Sequence, residues 1–280
     1  MGVRREARVA LAAAGLRPQK RWGQHFLCDP GVARRIVDAA RLPTDASVLE
    51  IGPGLGALTD ELAARARRLY LVEIDRGLAA RLAERHAAQP HVQLLVGDVL
   101  ELPLETLIAE PDVTVVANLP YNISTPVLFR LLAMRARVPR AVVMLQREVA
   151  ERLAAAPGDD SRGVLSVLIQ TWAEVRIAFN VSRRSFVPPP RVDSSVVVLR
   201  FSVTPRVAVE DPALYDAVVR AAFGQRRKML HNALAALAAS RGLDAPALEA
   251  RFARARVDGR ARAETLGLDA FARLAAALGG

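Results

Sequence analysis

The chain has 280 residues, 52% of them hydrophobic and 24% charged, with Lys+Arg 39 against Asp+Glu 29 and a formal net charge of +10. Such a chain folds around a sizeable core, as one large domain or a large and a small one, and its basic balance fits a polyanionic partner, nucleic acid being the simplest, or an Arg-rich solvated surface. One cysteine, Cys28, excludes an internal disulfide and fits a cytoplasmic setting; His25, His86, His91 and His231 lack ligand spacing, so no metal is expected; and no run approaches the roughly 18 apolar residues of a membrane span, so no membrane is expected either.

Arg4 to Ala14 reads as a short helix, and a basic, partly aromatic stretch with Arg17, Lys20, Arg21 and Trp22 leads into Gly23-Gln24-His25-Phe26-Leu27. Asp29 before Pro30 supplies a capping oxygen and a proline for a first turn, predicting a helix over Gly31 to Ala40. From Val48 onward short apolar strands are predicted at Val48–Ile51, Leu69–Glu73, Val92–Val96, Val113–Ala117 and Ala141–Leu145. Helix-length segments such as Ala57–Ala66 and Leu78–Ala87 separate them. Strand and helix in alternation predict an α/β fold, a Rossmann-like parallel sheet with right-handed crossovers and helices on both faces. Ligands of such sheets bind beyond the carboxyl ends of the strands.

The first strand end carries Gly52-Pro53-Gly54-Leu55-Gly56-Ala57, glycines that permit a tight turn and close backbone approach to a ligand. Gly52, Gly54 and Ala57 also satisfy the dinucleotide fingerprint G-x-G-x-x-G/A, with Glu73 placed to take ribose hydroxyls, so a nicotinamide enzyme stays open on this loop alone. At the third strand end Asp98 can accept from the exocyclic amine of an adenine while Val99 packs on its face. The glycines, Glu73 and Asp98 together describe a site for an adenosine-type ligand. The fourth strand runs into Asn118-Leu119-Pro120-Tyr121, which reads by itself as a strand-ending turn and which dehydrogenase chemistry does not require.

Beyond Arg200 the alternation stops. Leu214–Ala239, Pro246–Arg256 and Leu266–Leu278 read as helices of a small second domain, dividing the chain into 1–202 and 203–280. Phe223, Leu230, Leu234 and Leu237 are its expected core, with Arg226, Arg227 and Lys228 on the remaining surface.

Four stretches carry a family resemblance: Gln24-His25-Phe26-Leu27, Glu50-Ile51-Gly52-Pro53-Gly54-Leu55-Gly56, Asn118-Leu119-Pro120-Tyr121-Asn122-Ile123-Ser124-Thr125-Pro126, and Ser185-Phe186-Val187-Pro188-Pro189-Pro190-Arg191-Val192-Asp193-Ser194. With Phe223-Gly224-Gln225-Arg226-Arg227-Lys228 in the tail, the chain resembles the S-adenosylmethionine-dependent ribosomal RNA adenine dimethyltransferases nearly end to end, and their bacterial small-subunit branch most. His25 stands where family members commonly have Asn, and Gly224 where Asn or Ser is frequent.

The resemblance implies S-adenosylmethionine as cofactor, held by His25, Leu27, Gly52, Gly54, Glu73, Asp98 and Asn118. It implies dimethylation of N6 of two adjacent adenosines in the 3′-terminal hairpin of 16S ribosomal RNA in the immature small subunit, by a monomer. Asn118 and Leu119 would accept the amine hydrogens, Pro120 would stiffen the loop, and Tyr121 and Phe186 would stack on the two faces of the base. Arg17, Lys20, Arg21, Arg226, Arg227 and Lys228 would meet RNA phosphates, with Arg183, Arg184 and Arg191 adding to the basic surface. The alternatives are a large-subunit (23S) adenine methyltransferase and a non-catalytic RNA-binding assembly or transcription factor on the same fold.

Overall fold

The computed structural model describes residues 23–225 and 227–280. The chain divides into two compact units, the first through Ala150 with Val175–Ser202, the second made of Glu151–Glu174 and Val203–Gly280. Glu151–Glu174 therefore belongs with the second unit, although the sequence reading assigns it to the first domain. Its helix α7 (Val164–Trp172) is mostly apolar and buries Leu165, Val167, Leu168 and Ile169, a demand that a strand-helix repeat does not announce.

In the first unit, β1 (Phe26–Leu27) leads to α1 (Pro30–Ala40), where Asp29 Oδ1 accepts from Gly31 N at 3.0 Å and Val32 N at 3.1 Å, the cap read from the sequence. Then follow β2 (Ser47–Ile51), α2 (Thr59–Ala63), β3 (Arg68–Glu73), α3 (Arg76–Arg85), β4 (Val92–Val96), α4 (Leu104–Leu107), β5 (Val113–Asn118), α5 (Ser124–Ala133), β6 (Arg140–Gln146) and α6 (Arg147–Ala154), which runs past the first unit's boundary at Ala150. After α7 come β7 (Ala173–Val181), β8 (Phe186–Val187) and β9 (Ser194–Phe201).

A seven-stranded sheet has the order β4-β3-β2-β5-β6-β9-β7. β4, β3, β2, β5 and β6 are parallel neighbours, while β9 runs antiparallel to β6, pairing Gln146 with Ser194 and Arg140 with Arg200. The five predicted strands all form, within one residue at each end. The sheet is nevertheless mixed, because β9 extends it in the opposite direction. The chain winds outward from β2 through β3 to β4 and then returns to β5 beside β2, so the crevice for a ligand opens beyond Ile51 and Asn118.

β2 is buried on both faces, as a central parallel strand should be, and α1 packs Ile36, Val37 and Ala40 against one side of the sheet with Val48, Leu69, Val116 and Val198. α2 is shorter than the predicted Ala57–Ala66. Gly56 sits at φ +85°, and Ala64 to Arg67 turn the chain into β3, so only one turn of helix fits between loop and strand.

The second unit is helical: α8 (Pro212–Gly224), α9 (Leu230–Ser240), α10 (Ala245–Ala255) and α11 (Leu268–Gly279) join α7. The single helix expected over Leu214–Ala239 is two. Gln225 leaves the helical region at φ −133°, ψ 70°, Met229 is extended, and Lys228 N bonds Gln225 O at 2.8 Å, making a turn between helices that pack on each other. Folding back buries Phe223 with Leu230 and Leu234; Leu237 is half-buried. Among the described residues, no helix is long and apolar enough to cross a membrane.

Candidate active site

A cavity of about 260 Å³ lies at the carboxyl ends of β2, β3, β4 and β5. It is lined by His25, Leu27, Gly52, Gly54, Glu73, Asp98, Asn118, Leu119, Pro120 and Tyr121, and so collects ten of the residues singled out from the sequence. Their spacing in sequence is wide, but a parallel sheet brings successive strand ends to one rim.

The floor is the glycine loop. Gly52 and Gly54 have φ of +68° and +58°, and a Cβ on Gly54 would lie 3.1 Å from Phe26 Cδ1. The positive φ and the close aromatic both require glycine there. Glu73 braces the same loop from β3: Oε2 accepts from Gly54 N at 3.0 Å and Oε1 from Asp75 N at 2.9 Å. Each oxygen keeps a lone pair for a ligand. Burial raises the pKa of Glu73, and the amide hydrogen bonds pull against that rise.

Asp98 fixes its own turn through Oδ1, which accepts from Leu100 N at 2.8 Å; Oδ2 remains to receive a ligand N–H, with Val99 buried beside it. Asn118 donates from Nδ2 to His25 O at 3.2 Å. With Nδ2 engaged there, Oδ1 is the acceptor that this lining residue has to offer. Leu119 N bonds Met144 O at 3.2 Å and its side chain is buried, tying the loop to β6. His25 shares a 2.8 Å hydrogen bond between Nδ1 and Pro188 O, and its ring stands 5.5 Å from that of Tyr121.

Phe186 is corrected by the structure. It is 1% exposed in β8, opposite Leu27 of β1, and packs into the main core with Leu27 and Ile36, so it cannot offer a face to a base. The two-residue pairing turns alternate side chains to opposite sides, placing Phe186 in one cluster and Val187 with Phe26 in the other.

Three residues of the site were not singled out individually. Phe26 covers the glycine loop, Gln24 reaches Asp75 Oδ2 at 3.5 Å, and Glu50 lines the cavity from inside β2. Glu50 is 1% exposed, accepts from Thr59 Oγ1 at 2.8 Å, and has its pKa pushed up from the ordinary 4.5 to about 8, first by burial and also by the charges of Glu73 and Asp60. A carboxylate inside an otherwise apolar buried strand was the signal that could have found it.

Of the expected RNA contacts, Arg17, Lys20, Arg21 and Arg226 fall outside the described residues. Arg227 and Lys228 are exposed on the turn between α8 and α9, and Arg183, Arg184 and Arg191 are exposed on the loops flanking β8. Among the described residues no three His, Cys, Asp or Glu side chains gather to hold a metal ion.

Comparison with known proteins agrees with this geometry. The chain is 45% identical over 259 residues to ribosomal RNA small subunit methyltransferase A of Syntrophotalea carbinolica, covering 92% of this chain and 96% of that one. It is 44% identical to the protein of the same name from Moorella thermoacetica, covering 94% and 93%. The crystal structure of a dimethyladenosine transferase from Plasmodium falciparum superposes with a TM-score of 0.74 at 26% identity, over 89% of this chain and 96% of that one. That of the 23S rRNA methyltransferase ErmE gives 0.67 at 30% identity, over 91% and 100%. A family model described as ribosomal RNA adenine dimethylase matches residues 15–275. With the strand-end crevice, its three carboxylates and the Asn118–Tyr121 loop, these matches establish that the chain belongs to the ribosomal RNA adenine dimethylase family.

Proposed function

We propose that the protein dimethylates N6 of two adjacent adenosines near the 3′ end of 16S ribosomal RNA, in the cytoplasm, acting as a monomer on the immature small subunit. The observation that carries the chemistry is the Asn118 amide, which lines the crevice and donates from Nδ2 to His25 O, leaving Oδ1 as its acceptor.

The residues present fit S-adenosylmethionine. Gly52 and Gly54 would let the backbone approach its methionyl and ribose parts, Glu73 would accept from ribose hydroxyls, Asp98 Oδ2 from the adenine amine, and His25 and Leu27 would cover it from the N-terminal side. The carboxyl lining also weighs against the dinucleotide left open by the glycine loop. Glu50, Glu73 and Asp98 all line the cavity, and burial raises the pKa of two of them, Glu50 and Glu73. A cationic ligand would favour the ionised form of these carboxyls, whereas a pyrophosphate beside them would disfavour it. When bound, S-adenosylmethionine supplies an electrophilic methyl on a sulfonium centre.

The remaining difficulty is the amine, whose lone pair is conjugated into the purine. Asn118 Oδ1 and Leu119 O each accept one N6 hydrogen, which favours a pyramidal nitrogen with its lone pair directed at the methyl. Pro120, lacking an N–H, leaves those acceptors uncontested. Tyr121 stacks on one face of the base. A strong general base is not required, since the methylated ammonium is acidic and gives its proton to solvent.

The small-subunit target is favoured over the 23S alternative by the 44–45% identity to small-subunit enzymes, against 30% to the 23S enzyme. The lined-up acceptors favour catalysis over a purely binding role. Purified protein given labelled S-adenosylmethionine and unmethylated small subunits should place label in N6,N6-dimethyladenosine of the 16S RNA. Label on large-subunit RNA alone would overturn the target, and no label on either would overturn the activity.

A further inference from the structure

We infer that Ser194 is a positioning residue for methyl transfer: its buried hydroxyl ties the Tyr121 phenol to the start of β9 and holds the ring in the orientation that meets the target base. The inference rests on the reading of Asn118–Tyr121 as the loop that handles the base. Tyr121 Oη and Ser194 Oγ share a hydrogen bond of 2.9 Å across 73 residues of sequence. Ser194 is fully buried, while Tyr121 is half-buried and lines the crevice, so the tether is anchored in the protein and the ring faces the ligand.

The anchor is rigid. Ser194 is paired with Gln146 in the β6–β9 register, Asp193 O accepts from Arg147 N at 3.0 Å, and Asp193 Oδ1 accepts from Arg183 N at 2.9 Å. The tyrosine backbone is fixed too, because Ser124 Oγ donates to Tyr121 O at 3.2 Å and Ile123 N to Pro120 O at 3.2 Å. What the tether removes is the remaining freedom, rotation of the side chain among its staggered positions. Burial raises the pKa of the phenol, so it keeps its proton near neutrality. The same loop also meets the ring beside Tyr121, since Pro188 O is the partner of His25 Nδ1. The run 188–194, otherwise without a part in the chemistry, thus braces both rings, His25 and Tyr121, that line the crevice.

A ring free to swing can enter the space that a base already carrying one methyl needs, so the second transfer is the more sensitive step. Ser194→Ala should lower kcat on the order of tenfold and accumulate monomethyladenosine. The KM for small subunits and the Kd for S-adenosylhomocysteine should stay within about twofold of wild type, as binding surfaces are untouched. Tyr121→Phe, which keeps the ring and loses the tether, should reproduce that product ratio, and the double variant should be no worse than either. It also carries the test if Ser194→Ala does not fold. Wild-type kcat and product ratio in Ser194→Ala, additive losses in the double variant, or equal losses in kcat and cofactor binding would each overturn the inference. Tyr121→Ala separates the two readings. If it transfers methyl normally, the base-handling reading fails and takes the tether with it; if it is inactive while Ser194→Ala is normal, only the tether fails.

Discussion

The strand-end crevice of the first unit and the turn between α8 and α9 of the second both carry ionisable side chains, in opposite physical states. Glu50 and Glu73 are buried, desolvated and held by specific donors, whereas Arg227 and Lys228 stand exposed in solvent. A buried carboxyl acts through geometry at a few ångströms and is insensitive to salt. An exposed cation acts through long-range attraction that counterions screen. The comparison teaches that methyl transfer and RNA affinity in this protein should respond to different perturbations.

Removing an acceptor in the crevice should have the largest effect. Asn118→Ala is expected to cut methyl transfer on the order of 10²- to 10³-fold, the usual loss of one oriented group, with cofactor binding reduced far less. Unchanged turnover in a single-turnover assay would sink the role given to Asn118. Next comes Glu73→Gln, which must turn an NH₂ toward either Gly54 N or Asp75 N, two donors now facing carboxylate oxygens. A lost buried hydrogen bond costs about 1–3 kcal/mol, so the midpoint of urea unfolding should fall and S-adenosylhomocysteine should bind on the order of tenfold more weakly.

Glu50 gives a prediction in pH. Its carboxyl titrates at about 8 in the folded protein against an ordinary 4.5. Between those values the folded chain keeps a proton that the unfolded chain has lost, so stability falls as pH rises through that window. Glu50→Gln should flatten the fall, the variant gaining on wild type from pH 5 to pH 8 in thermal unfolding without ligand. Parallel curves for the two proteins would show that the carboxyl is ionised in the fold. The smallest effects belong to the exposed turn. Arg227→Ala and Lys228→Ala should each raise the KM for small subunits a few-fold, leave kcat alone, and reduce the salt slope of RNA binding by about 1. A salt slope equal to wild type in both would remove them from the RNA surface.

Much of the site was legible because its parts are punctuated in sequence. Short β-branched runs ending in glycine, Glu73, Asp98 or Asn118 mark strand ends, and a parallel sheet has only one edge where such ends can meet. Asp29-Pro30 was legible for the same local reason. Phe186 was misread because an aromatic in a proline-rich loop looks exposed; its partner Leu27 lies far away in sequence, and only the β1–β8 pairing reveals that the ring is core. The break at Gln225 was hidden as well, since nothing in that segment forbids a helix and only the packing of α9 on α8 calls for a turn.

The alternating parallel strands, the glycine loop, the acids Glu73 and Asp98 and the Asn118–Tyr121 motif were all readable in the sequence, because these depend on local propensity and on backbone chemistry that each residue carries with it. Only the tertiary structure decided the antiparallel β9, the transfer of Glu151–Glu174 to the helical unit, the raised pKa of Glu50 and the tether from Ser194 to Tyr121. Each of these depends on what a residue meets from distant parts of the chain. Burial and partners, unlike propensity, exist only once the chain has folded.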